Sequence, residues 1–305
     1  MRGPTLVSGT GNAVVATYVA QGTRIPTSGG IFVTGARFVT RHRLACVGGL
    51  LSLGMLLVAV VGPTVDPTPP NAVHVSALLI PPSRTWWLGT DDLGRDILSR
   101  VFAGGRISIG IGVVATLTAA VVGVPAGMAS GFWGGWLDGA LMRLMDLLFS
   151  IPTMVLAIAI VGVLGPSVTN ATLAIALVAM PRFARLVRGQ VLALREMEFI
   201  HAARAVGAPP ARILRRHLLP NLLGLVVVQG TLTVSFAILT EASLSFLGLG
   251  VQPPTASWGS MLRYGYPFLD QAPWTAITPG MAIMLTVLGL NLLGDGIRDL
   301  LDPSL

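Results

Sequence analysis

The stretch that decides the fold is "EFIHAARAVGAPPARILRRHLLPN", Glu198 to Asn221. It is rich in arginine, bent at Gly207, and set between long apolar runs in a chain otherwise short of charge. Of 305 residues, 53% are hydrophobic and 11% charged, where a soluble domain carries about 25% charged residues. That composition points to a bilayer protein. The formal charge is +7, and all 20 basic residues are arginine. A phosphate-binding loop of the G-x-x-x-x-G-K-[ST] kind needs its lysine to reach the β- and γ-phosphates, so this chain has no such loop. If ATP drives the protein, another subunit holds the nucleotide and its magnesium, and no cofactor is expected here.

Six apolar runs are candidates for the roughly 20 residues that cross about 30 Å of hydrocarbon. They are Leu44 to Val65, Ile107 to Phe132, a third ending near Leu164, a fourth starting near Val168, Leu218 to Thr240, and Ala276 to Gly294. The third and fourth come from one uncharged run, Leu147 to Pro181, divided at the turn-forming "GPSVTN", Gly165 to Asn170. Arginine-rich short loops stay in the cytoplasm. With both termini inside, fifteen of the 20 arginines lie on that side, eight of them between Arg182 and Arg216. The expected architecture is an all-α membrane protein with six transmembrane helices, N-in and C-in. Residues 1–42, Gly/Thr/Ser-rich, are expected to be a disordered cytoplasmic tail, with the true start near Val39. Residues 43–305 are expected to form the membrane domain.

Single side chains add little bond chemistry. Cys46 is alone in an apolar run and reads as a small filler, so no internal disulfide or zinc cluster is available. His42, His74, His201 and His217 fall outside the spans. No metal-ligand cluster and no nucleophile–base pair is visible. The chain is not read as an enzyme, and no nucleic-acid partner is implied.

The region from Arg182 to Pro220 is then a cytoplasmic loop, which reads as two helices. The first runs through "LVRGQVLALREMEFIHAARAV", ends where Gly207 allows a left-handed backbone, and "APP" starts the second. Arg212, Arg215 and Arg216 share one face of that second helix. By charge alone the segment suits anionic lipid headgroups. Its pattern is more specific. "HAARAVG", with nine residues between Gly207 and His217 of "HLLP", resembles the E-A-A-x3-G-x9-I-x-L-P loop of ABC importer membrane subunits. In that family the loop holds a coupling helix that docks in a groove of the ATPase subunit. The resemblance implies that His201, Ala202 and Ala203 stand at the E-A-A positions, Gly207 at the glycine, His217 at the isoleucine, and Leu219 and Pro220 at the closing pair. His201 and His217 depart from the usual glutamate and isoleucine. Phe199 and Arg204 complete the expected ATPase-coupling set, Phe199 as an aromatic anchor.

Four further segments, "WWLGTDDLGRDILSRVFAGGRIS" (Trp86 to Ser108), "MRLMDLLFSIP" (Met142 to Pro152), "EASLSFLGLGVQPPTASWG" (Glu241 to Gly259) and "NLLGDGIRDLLDP" (Asn291 to Pro303), are similar to the C-type membrane subunit of the dipeptide, oligopeptide and nickel permease family. The resemblance implies a type I importer in the bacterial cytoplasmic membrane. Its partners would be a second, B-type permease subunit, cytoplasmic ABC ATPases and an extracytoplasmic substrate-binding protein.

"TDDLGRDILSR" is expected to be an amphipathic outer helix, with Leu93, Ile97 and Val101 on one face and Asp96 paired to Arg100. It is either a structural elbow into span two or, through Asp91, Asp92, Arg95 and Asp96, a contact for the delivering protein. Asp146, near Arg143 at the inner end of span three, and Glu241, at the outer end of span five, are either paired or capping groups or parts of a gate. A proton- or sodium-driven carrier is disfavoured because no ionisable residue lies at mid-depth of a span, and a passive scaffold for ATPases stays open. Without imidazole in the spans, and with Gly104, Gly105, Gly110, Gly112 and Gly123 around span two suiting a smooth pathway, short peptides are favoured over nickel as cargo.

Overall fold

The computed structural model describes residues 43–66 and 68–301. The tail expected over residues 1–42 lies outside them. Among the described residues ten α-helices carry the fold: α1 Arg43–Val65, α2 Ile97–Trp133, α3 Gly135–Ser150, α4 Thr153–Leu164, α5 Val168–Leu194, α6 Glu198–Ala205, α7 Pro210–Ile213, α8 Leu219–Phe246, α9 Trp258–Gly265 and α10 Trp274–Leu301. A π-helical turn, Leu214–Leu218, joins α7 to α8. Five helical stretches are long and apolar enough to cross a membrane, and the bent pair α3–α4 makes a sixth.

Local chemistry sets the boundaries. Asp96 caps α2, its carboxylate accepting from the Ser99 amide at 2.8 Å, and Gly134 ends it with φ 66°. Ser167 caps α5, its hydroxyl accepting from the Asn170 amide at 3.0 Å. The Asn170 side chain donates to the Leu164 and Gly165 carbonyls, both at 2.9 Å, so the turn read in "GPSVTN" is present.

Three expectations need correction. Span three is not one helix from Leu147: Pro152 stops α3, and α4 leaves it at 91°. Proline at that place forces the preceding Ile151 into extended backbone. α5 does not end at Pro181 but runs through it to Leu194. Span two begins at Ile97 instead of Ile107, giving 37 residues, about 55 Å of helix, so α2 reaches beyond the hydrocarbon.

Helices pack closely through small residues, the usual source of membrane helix association where lipid removes the hydrophobic drive. Gly123, Gly127 and Gly131 lie four apart on α2 against α5. A Cβ on Gly123 would stand 2.7 Å from the Met180 carbonyl oxygen, and one on Gly131 2.9 Å from Val191 Cβ. This overturns the pathway reading of the span-two glycines: Gly104 and Gly105 meet Ser257 and Trp258, Gly112 meets Ile238, and of the five only Gly110 faces open space. Outward positions such as Leu117, Val121 and Val163 are exposed and apolar, as a lipid or partner-subunit face requires.

Candidate functional site

On the arginine-rich side, the single long helix expected through Val206 is broken, because α5 stops at a turn, Arg195–Met197. α6 then ends in a full Schellman motif: the Ala208 amide donates to the Ala203 carbonyl at 3.0 Å and the Gly207 amide to the Arg204 carbonyl at 2.9 Å, with Gly207 at φ 75°. Pro210 opens α7 as its first residue. α7, the π turn and α8 run on as one apolar helical stretch from Pro210 to Phe246, so the second predicted helix belongs to span five.

Two faces of α6 have different fates. Ile200 (0% exposed) and Ala203, three residues apart, sit in a core cluster with Met145, Leu194, Ile213 and Leu218. His201, Ala202, Arg204 and Val206 are exposed, Val206 at 83%. Phe199 is 40% exposed and tilts against His217 with ring centres 6.4 Å apart. The Arg204 guanidinium lies 5.5 Å from the Phe132 ring centre. Leu219 is half-buried and Pro220 exposed at the start of α8. Small size at Ala203 thus serves packing inside this chain, while Ala202 offers a small side chain outward. Beside Pro220, a cleft of about 660 Å³ opens between α5, α8 and α10, lined by Gln190, Asn221, Gly224, Val228, Gln229 and Arg298 among others.

The ion pairs that hold this end together escape sequence reasoning. Asp138 on α3 takes a bidentate bond from Arg188 on α5, at 2.6 and 2.7 Å, and also accepts from the Ser130 hydroxyl on α2. Asp146 pairs with Arg185, not with Arg143, and Arg185 also lies 4.3 Å from the Phe149 ring centre. Arg195 donates to the Gly131 carbonyl at 2.9 Å. Asp138 and Arg188 stand 50 residues apart in the chain; the available signal is an acid at the start of a helix facing an arginine-rich segment.

On the opposite side, Asp91 to Arg95 form a turn, not a helix. The Asp91 carboxylate accepts from the Arg95 amide at 2.9 Å and its Nε at 2.6 Å. Arg100 stands 3.7 Å from Asp91 and donates to the Pro70 carbonyl and Asn71 Oδ1, both at 3.1 Å, so it does not pair with Asp96. Burial, with the Asp91 carboxylate beside it, pushes the Asp92 carboxyl above the usual carboxylate range. Arg95 and Asp96 are buried; Asp92 is half-buried and Leu93 exposed, so the outward face of the turn comes from those two.

Glu241 is neither a cap nor half of an ion pair. It is 0% exposed within α8, and among the described residues no cationic side chain lies within salt-bridge distance. Ser108 of α2 donates to its Oε2 at 2.9 Å and Ser245 to its Oε1 at 2.7 Å.

The family model described as "Binding-protein-dependent transport system inner membrane component" matches residues 123–305. The dipeptide transport system permease protein DppC of Alkalihalophilus pseudofirmus is 44% identical, the match covering 87% of each chain. The probable D,D-dipeptide transport system permease protein DdpC of Escherichia coli K12 is 43% identical over 86% of this chain and 88% of its own. The glutathione transport system permease protein GsiD of Pectobacterium atrosepticum is 43% identical over 88% and 89%. Among solved structures, an inward-facing MetNI methionine ABC transporter superposes with a TM-score of 0.52 at 22% identity, covering 65% of this chain and 95% of that one, which places the fold as that of a type I importer permease. The chain belongs to the family of binding-protein-dependent transport system inner membrane components, permease subunits that work with ATPase and other components of ABC transporters in the bacterial inner membrane.

Proposed function

We propose that the chain is the C-type, pore-forming subunit of an importer of di- and oligopeptides. It would pair with a B-type permease, receive cargo from an extracytoplasmic binding protein, and be driven by cytoplasmic ATPases that hold ATP and magnesium. The observation that carries the coupling role is the division of α6. One face, Ile200 and Ala203, is packed into the membrane domain, while Phe199, His201, Ala202 and Val206 are exposed. A groove that grips the free face moves the anchored one. That displacement passes through Met145 to α3 and through Ile213 and Leu218 to α8. Arg204, exposed on α6, also links it to α2 through its guanidinium over Phe132.

Peptide cargo is supported by the relatives named for dipeptide, D,D-dipeptide and glutathione transport, and nickel is not favoured. The test compares uptake of labelled di- to pentapeptides and of nickel in a strain lacking this gene and in its complemented parent. Peptide uptake should fall in the deletion strain and return on complementation. Loss of nickel uptake with peptide uptake untouched would reverse the assignment.

A further inference from the structure

The segment "EASLSFLGLGVQPPTASWG", Glu241 to Gly259, is not used by the coupling loop. It leads from the outer end of α8 into α9, a short helix lying between two spans. Two backbone amides from this excursion are wired to one carboxylate. The Trp258 amide, first in α9, donates to Ser108 Oγ at 3.2 Å, and the Ser108 hydroxyl donates to Glu241 Oε2 at 2.9 Å. The Val251 amide donates to Ser245 Oγ at 3.0 Å, and Ser245 donates to Glu241 Oε1 at 2.7 Å. Each serine acts as both donor and acceptor, and each carboxylate oxygen holds one relay. The N-terminus of α9, carrying partial positive charge, points along the first relay toward the buried carboxyl group.

Packing around the relays is equally tight. Trp258 is 0% exposed, and its indole N–H donates to the Val101 carbonyl at 3.0 Å. A Cβ on Gly105 would stand 2.9 Å from the indole, and one on Gly259 2.5 Å from Ala242 Cα. α9 is therefore seated on α2 from one side and on α8 from the other, with Glu241 where the two seats meet.

We propose that Glu241 is the positioning residue of an extracytoplasmic cap, made of α9 and the loop before it, which it fastens to α2 and α8 so that the cap follows these spans as one body during transport. This rests on the chain being an importer permease but not on the identity of its cargo. A buried carboxylate with no cation is costly in or near hydrocarbon; here it joins three separate elements through hydroxyls, which an apolar residue of the same size does not do.

The test uses the complete transporter in proteoliposomes, with Cys46→Ser and Met261→Cys introduced, since Met261 on α9 is only 5% exposed. A membrane-impermeant maleimide is applied from the extracytoplasmic side. With Glu241 intact, labelling should be slow. In Glu241→Ala it should rise at least tenfold, and the ratio of binding-protein-stimulated to basal ATPase activity should fall toward one; Glu241→Gln, which keeps the shape and one acceptor, should lie between. Unchanged slow labelling in Glu241→Ala overturns the proposal, as does a gain in Glu241→Gln equal to that in Glu241→Ala. If Glu241→Ala does not assemble, Ser108→Ala and Ser245→Ala each cut one relay, and slow labelling in both has the same consequence. Because labelling needs no cargo, a wrong peptide assignment leaves this result standing.

Discussion

Two excursions interrupt the spans on opposite sides of α8. Before it lie α6 and α7; after it lies α9. Both combine a short helix with a glycine at positive φ, Gly207 before α7 and Gly248 before α9. Their anchoring differs. α6 is attached mainly by apolar contacts along one face, and its other face is exposed, as are Arg212, Arg215 and Arg216 beyond Gly207. α9 is held by buried hydrogen bonds and by backbone contacts with no room for a methyl group. Apolar contacts and the loose Arg204–Phe132 approach, with no hydrogen-bond relay, let α6 slide or tilt slightly at small cost, whereas the α9 relays have one geometry. The first excursion is suited to being gripped and moved, the second to being carried.

The contrast breaks most severely if the anchored face of α6 is blocked. Ala203→Trp places an indole where a methyl group is 9% exposed among Ile213, Leu218 and Leu194. Overpacking typically costs about 1–3 kcal/mol, and this increase in volume lies at the upper end. Peptide uptake in proteoliposomes should be abolished, with size-exclusion chromatography of the detergent-solubilised complex showing reduced ATPase association. Wild-type uptake would mean that α6 is not anchored through Ala203.

A smaller effect is expected at the hinge. Gly207 stands at φ 75° with open space where a Cβ would lie, so the strain in Gly207→Val is conformational, not steric against neighbours. The left-handed backbone costs an L-residue roughly 1–2 kcal/mol, and more with β-branching. Membrane insertion should be retained while cargo-stimulated ATPase activity is lost. Normal stimulation would show that the Schellman turn does not set the direction of α6.

The third effect concerns what lies behind α6. Asp138→Asn removes the charge that receives both Arg188 bonds, at side-chain exposures of 20% and 33%. Stimulated ATPase activity should fall by several-fold. A double-mutant cycle with Arg188→Gln should show a coupling of about 1 kcal/mol. Additivity would mean that the clamp does not tie α3 to α5 under working conditions.

What is legible in the chain follows from the range of the forces involved. Gly207, the proline pair after it, and the "GPSVTN" turn are local signals, and each lies where the sequence places it. Five of the apolar runs are helices of spanning length, because length and hydropathy alone decide them. The broken span is not legible from charge and length: Leu147 to Leu164 carries no charge, and the 91° bend at Pro152 leaves hydropathy along the run unchanged. Nor are the partners of the acids, since Asp138–Arg188, Asp146–Arg185 and Glu241–Ser108 are separated by 50, 39 and 133 residues. The burial of Glu241 is hidden for a similar reason: its position near the end of an apolar run implies exposure, while α9 folds back and covers it.

The smallest effect is expected at His201, and it sharpens the comparison most. His201 is exposed on the free face of α6, where the family pattern has glutamate, and it makes no hydrogen bond to any described residue that would fix its ring. An imidazole offers no negative charge, so a role resting on negative charge is absent here. Under the proposed coupling role, a grip on α6 would come from shape, through Phe199, Ala202 and Val206. His201→Gln keeps a neutral polar side chain of similar reach and should leave stimulated ATPase activity within about twofold of wild type, as for other exposed substitutions. The companion Val206→Asp, which puts charge onto the 83% exposed valine of the same face, should cost clearly more. Equal losses in the two variants, measured as the concentration of ATPase subunit needed for half-maximal stimulation, would mean that the histidine is itself part of the docking contact and that the free face of α6 is read by hydrogen bonding and not by shape.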